Sequence, residues 1–161
     1  MVFLRTERLT LRDFLPEDAE RLSDLDAAPG VMEFLDGEEE TSPEEYRRWI
    51  GTLDETYPPG SNRGFWAVEE DGRFIGWFHL RPAKDTGELE LGYRLRPEAW
   101  GRGLATEGSR ALLELAGERV IARTMMINVR SRRVMEKLGM RVVRTFPYSG
   151  EGPDDEVEYA L

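Results

Sequence analysis

The stretch from Glu88 to Glu107, ELELGYRLRPEAWGRGLATE, constrains the chain more than any other. It reads as a strand, a short proline-bearing loop, two glycines flanking Arg102, and the first turn of a helix. A helix start leaves several backbone N–H groups without intrahelical partners, and its dipole adds partial positive charge. Glycines at such a turn let a ligand come close to the backbone. Together these features predict a cradle for phosphate or pyrophosphate.

The flanking segments predict the sheet that carries this cradle. Phe3 to Phe14 reads as extended, with alternation at Leu9-Thr10-Leu11-Arg12. Pro16 opens a helix with acids in its first turn, which runs to about Ala27 before Pro29-Gly30 breaks it. Ser42-Pro43-Glu44-Glu45 is a capping box, opening a second helix to about Tyr57. Gly64–Glu70 and Phe74–Pro82 are strands joined at Asp71-Gly72, a hairpin signal, and Glu88–Arg96 follows as a third. Thr106–Ala116 is an amphipathic helix, Arg119–Ile127 a strand, and Ser131–Leu138 a short helix closed by Gly139. Met140–Phe146 and Glu156–Leu161 close the chain as strands. This order predicts an α/β (mixed α+β) sheet covered by helices, in one domain over residues 1–161.

Composition narrows the chemistry. There is no cysteine, so disulfides, thiolate metal sites and a cysteine nucleophile are excluded. His79 is the single histidine and lies in an apolar strand, which reads as a satisfied core residue and rules out histidine-based zinc chemistry. No metal is expected. The N-terminus has charges every few residues and no apolar h-region, and no run is long enough to cross a bilayer. A cytoplasmic protein without a membrane role is the expectation, as monomer or homodimer. Net charge is −10, yet residues 119–144 hold eight Lys/Arg against one acid, a local +7 that leaves −17 elsewhere. That balance argues against direct nucleic-acid binding and suits a small anion on one face. The acidic runs are either solvated loops or a surface for a cationic partner.

Two common phosphate motifs do not fit. A dinucleotide fingerprint needs glycine where Thr106 stands, and a P-loop needs Gly-Lys-Ser/Thr where the chain reads Thr106-Glu107-Gly108. No G-x-S-x-G elbow is present. What remains is a phosphate cradle, a polar residue ending the next strand, and a basic helix. With those residues the chain resembles the GCN5-related N-acetyltransferase (GNAT) superfamily, and within it the Rim-type (RimJ/RimL-like) branch that acetylates ribosomal-protein N-termini. Trp100-Gly101-Arg102-Gly103-Leu104-Ala105 matches the family's Gln/Arg-x-x-Gly-x-Gly/Ala motif except at its first position. Asn128 to Met140 resembles the branch's N-x-x-S-x-x-V-x-x-K-x-G-[FM] segment, and Thr6–Arg12 and Glu90–Tyr93 resemble it too.

The resemblance implies a central mixed, mostly antiparallel sheet of six to seven strands, splayed between Glu88–Arg96 and Arg119–Ile127, with Gly92 near the bulge that opens it. Acetyl-CoA would lie in that splay. The residues implied to hold it are Leu91, Tyr93, Leu95, Trp100, Gly101, Arg102, Gly103, Leu104, Ala105, Thr106, Asn128, Ser131, Arg132 and Lys137. Arg130 and Arg133 would add charge for a further phosphate, and Asn128 would bond the pantetheine arm or cap its helix. The acceptor would be a primary amine, a basic protein N-terminus in the Rim-type reading, attacking directly in a ternary complex. A polyamine or aminoglycoside, or a non-catalytic acetyl-CoA sensor, are the alternatives. The superfamily's tyrosine donor is replaced by Met135, leaving Ser131 to contact the thiol or to cap the helix. Glu90 is the candidate base, with Glu88 on the same strand face, and Glu33, Asp36, Glu38–Glu40 and Tyr148 are candidates for the acceptor site.

Overall fold

The computed structural model describes residues 1–35 and 41–161. The opening extended segment folds back on itself as β1 (Val2–Arg5) and β2 (Thr10–Arg12), paired antiparallel. α1 (Asp18–Ala27) follows, pinned at its start by a buried Asp18 that accepts from Leu15 N–H and pairs with Arg12 and Arg21. α2 (Pro43–Thr56) begins at the expected capping box: Ser42 Oγ accepts from Glu45 N–H at 3.3 Å, and Glu45 accepts from Ser42 N–H at 2.9 Å. β3 (Gly64–Glu70) and β4 (Arg73–Pro82) form the hairpin, turning at Asp71-Gly72 with both φ angles positive.

β5 (Leu89–Leu95) leads through a 3₁₀ turn at Pro97–Ala99 into α3 (Leu104–Ala116). The remaining elements are β6 (Val120–Met125), α4 (Val129–Lys137), β7 (Arg141–Phe146) and β8 (Glu156–Ala160). The opening hairpin brings the sheet to eight strands, in the order β1-β2-β3-β4-β5-β6-β8-β7. Every neighbouring pair is antiparallel except β5 and β6.

Strand alternation divides the side chains between two layers. Phe78, Leu80, Leu91, Leu95, Val120, Ala122, Val157 and Tyr159 pack with Leu104 and Leu112 of α3 and Met135 of α4. On the other face Phe65, Phe74 and Trp77 pack with Leu22 of α1 and Tyr46, Trp49 and Leu53 of α2. No helix among the described residues is long and apolar enough to cross a membrane.

The β5–β6 pair decides where a ligand can go. It is parallel and holds at only two positions, Leu89 with Val120 and Glu90 with Ile121. Beyond Glu90, β5 stays bonded to β4 as far as Leu95, while β6 stays bonded to β8 as far as Met125. Each strand follows its other neighbour, and the sheet parts between them. Gly92 makes no bulge there, contrary to expectation. β4 and β5 pair in unbroken register, and Gly92 stands opposite His79, whose imidazole fills the space a Cβ would need.

Candidate active site

The parted strands open into a cavity of about 530 Å³, within the usual range for small-molecule sites. Its floor is Leu91, Tyr93 and Leu95 of β5 with Ala122 and Thr124 of β6. One end is formed by Trp100, Gly101, Gly103, Leu104, Ala105 and Thr106, where α3 begins. Gly101 and Gly103 have φ of 70° and 78°, in the left-handed region that favours glycine. Gly103 is the N-cap and offers no side chain, so α3 starts two residues before the expected Thr106 and its first turn faces the cavity uncapped. A Cβ on Gly101 would touch nothing within 4 Å, so that side of the turn is open to a ligand.

Arg130, Arg133 and Lys137 of α4 line the same end, adding three cations to the helix start. Arg130 also stacks on the Trp100 ring at 3.8 Å, across the mouth of the splay. Trp100 thus gives the motif's unmatched first position a partner of its own. A pyrophosphate-bearing ligand fits these residues: open backbone, an uncapped helix start and cations beyond it.

Two expected basic contacts lie elsewhere. Arg102 turns away from the cavity to hold Glu70 through two bonds of 2.8 and 2.5 Å, and only its backbone belongs to the turn. Arg132 lies under the last strand, donating to Tyr159 Oη at 3.1 Å and to the Met126 carbonyl at 3.0 Å. Asn128 lines the cavity, but its side-chain oxygen caps α4 by accepting from Ser131 N–H at 3.2 Å. Ser131 of α4 and Tyr93 of β5 line the same cavity. Burial raises the Tyr93 phenol, and Ser131 and Arg130 oppose that shift.

At the opposite end stands Glu90, where the strands part. Burial pushes its carboxyl above the usual range, while Arg81 at 3.2 Å and Arg123 at 3.9 Å pull it back. Glu88, expected on the same strand face, precedes β5 and pairs with Arg119. His79 lies beside Glu90 in the wall. Burial and Arg81 push its imidazole down to about 3, against the Glu90 backbone, so it is neutral. Its Nδ1 is buried without a partner among the described residues, so it is a core histidine but not a satisfied one.

The acceptor candidates divide. Tyr148 lines the cavity, and Glu33 sits exposed on the turn after α1, outside the lining. Val31, Phe34 and Leu35 of that segment line it instead. Asp36 and Glu38–Glu40 fall outside the described residues. Arg8 had no sequence signal of its role. It donates to the Arg102 carbonyl at 2.8 Å and to Glu107 at 2.8 Å, while Glu107 accepts from Thr6, so the first hairpin braces the glycine turn.

The known proteins similar to this chain include acetyltransferases. The acetyltransferase (GNAT) domain family matches residues 8–141. An FsC-acetyl coenzyme A-N(2)-transacetylase of Aspergillus fumigatus is 33% identical, over 98% of this chain and 75% of its own length. The N-acetyltransferase p20 of Bacillus licheniformis, itself uncharacterized, is 31% identical over 71% of this chain and 65% of its own. Among solved structures, a GNAT-family acetyltransferase from Bacillus anthracis superposes with a TM-score of 0.78 at 27% identity, covering 99% of this chain and 97% of that one. At 16% identity, where only the fold is shown, RimL, a ribosomal L7/L12 alpha-N-protein acetyltransferase in complex with coenzyme A, superposes with a TM-score of 0.79, covering 100% and 97%. The cradle, the splayed strands and the family match have one meaning: the chain belongs to the GNAT acetyltransferases and uses acetyl-CoA.

Proposed function

We propose that this enzyme acetylates a primary amine, and specifically the α-amine at a protein or peptide N-terminus, by direct attack in a ternary complex. The observation that carries the reading is the course of the cavity. It runs from the glycine turn, between β5 and β6, to Glu90 on the far face of the sheet. Acetyl-CoA supplies the acetyl thioester. With no cysteine in the chain, the amine itself is the nucleophile.

Attack requires a neutral amine. An α-amine with a pKa of roughly 7.7–8.0 is about one-tenth neutral at pH 7, whereas a lysine at roughly 10.4 is below ~0.1%. A single carboxylate base suffices for the first and is weak equipment for the second. Glu90 is that base: it stands where the strands part, and burial raises its proton affinity. Tyr93 and Ser131 bring hydroxyls to the cavity wall, where a departing thiolate needs a donor. The GNAT-fold neighbours that act on proteins support the α-amine, among them RimL and a ribosomal-protein-S5-alanine acetyltransferase from Vibrio fischeri. A small-molecule amine is the second reading, favoured by the name of the 33% identical fungal relative.

Thiol release from acetyl-CoA, measured against N-terminal peptides, polyamines and aminoglycosides, tests the proposal. Turnover on peptides, with Glu90→Gln lowering kcat by about 10²-fold or more, is the expected result. Turnover confined to polyamines or aminoglycosides would replace the acceptor, and an unimpaired Glu90→Gln would remove the base.

A further inference from the structure

Among the described residues, the charged side chains at the acceptor end of the cavity leave one carboxylate without an ion pair. Arg94 pairs with Asp26 at 2.7 Å, and Arg81 lies 3.2 Å from Glu90. Arg123 donates to both oxygens of Asp85 and to Glu158, and Arg144 donates to the same Glu158 at 2.9 Å. Each of these guanidiniums has its carboxylate. The side chain of Glu156, which lines the cavity, makes no hydrogen bond or ion pair among the described residues.

Its position is set by register. Glu156 opens β8 opposite Met125 of β6, and Arg123 and Ile121 precede Met125 at intervals of two. Ile121 stands opposite Glu90, so Glu90, Arg123 and Glu156 share one face of the sheet. The arginines that influence Glu156, Arg123 and Arg144, are the two already engaged by Asp85 and Glu158. A half-buried carboxylate without a partner is costly, and a cationic ligand recovers that cost through a charge-assisted bond. The same cavity wall carries apolar and aromatic side chains, Phe34, Leu35, Trp77, Met125 and Tyr148, beside the paired Arg94 and Arg123.

We propose that Glu156 holds the ammonium group of the acceptor, and that the apolar wall selects a primary amine carried beside an apolar or aromatic group. This rests on the acetyl-transfer reading above and narrows its substrate. One unpartnered carboxylate matches one ammonium, as in a peptide with a large apolar first residue or an arylalkylamine. Glu156 acts in binding, and Glu90 remains the group that takes the proton.

The test is direct titration of the full chain, with coenzyme A bound, by 2-phenylethylamine, by a peptide beginning with phenylalanine, and by spermidine. Binding of either aromatic amine, tighter than spermidine, is expected, and the stronger of the two identifies the source. Glu156→Gln should weaken that binding by about 10- to 100-fold and raise KM alike, with kcat and coenzyme A affinity nearly unchanged and Tm no lower. Amine affinity unmoved by Glu156→Gln, spermidine bound as tightly as the aromatic amines, or no amine bound at all would overturn the proposal. Amines held through Glu156 without thiol release from acetyl-CoA would sink the transfer reading and leave this one standing.

Discussion

Gly92 and His79 show how a single residue choice serves the site. They face each other on β5 and β4, and the imidazole occupies the volume where any Cβ at residue 92 would lie. Gly92→Ala therefore forces the ring or the strand to move, at a cost of about 1–3 kcal/mol as for other overpacked positions. Denaturant unfolding should show that loss, and His79→Ala in the same chain should recover most of it. Additive losses in the double variant would mean the two do not meet. Family resemblance places Gly92 near a bulge, but a glycine that relieves a bulge and one that admits a neighbour look identical in a chain. The same limit hid the fates of Arg102 and Arg132. A basic residue inside a motif is legible, whereas the Glu70 and Tyr159 that claim those guanidiniums come from distant strands.

At the scale of elements, the strand–turn–helix unit was readable because its signals are local. Gly101 and Gly103 impose their own backbone, and the capping box of α2 sits where the residues predict it. The helices α3 and α4 start two residues earlier than their periodicity predicts because the caps are Gly103 and Asn128, the second of the two roles open to Asn128 in the sequence. The splay itself depends on partners, β4 for one strand and β8 for the other, and came from family resemblance rather than from any pattern in β5 or β6. Gly101→Ala separates ligand binding from folding at this unit. Its left-handed φ costs an alanine about 1–2 kcal/mol, and no protein atom lies within 4 Å of the new methyl. Stability should fall by that amount only, while calorimetry should find coenzyme A bound at least about tenfold more weakly. Full coenzyme A affinity would show that the ligand does not approach this turn.

Across the whole molecule, acid stability sets groups of opposite sign against each other. His79 is held neutral in the fold with its pKa pushed down to about 3 from 6.5. Below pH 6.5 the unfolded chain binds a proton that the fold refuses, so its contribution is lost progressively as pH falls towards 3. At one pKa unit per about 1.4 kcal/mol, that loss is about 2–3 kcal/mol by pH 4.5. Asp18 works in the same direction but later. Burial favours its protonated form, yet hydrogen bonds from Arg12, Leu15 N–H and Arg21 outweigh this and hold it below 3.8, so its support fades only beneath that value. Glu90 and Glu156 oppose both, since burial raises them above 4.5 and the fold takes up their protons first as pH drops. The net curve mixes these terms, so the difference between wild type and His79→Gln isolates the imidazole. Unfolding free energies should differ by a constant above pH 7, then converge or cross as wild type alone loses about 1.4 kcal/mol per unit below 6.5. A difference that stays flat from pH 7 to 4.5 would mean that the buried imidazole is protonated as readily in the fold as in the unfolded chain.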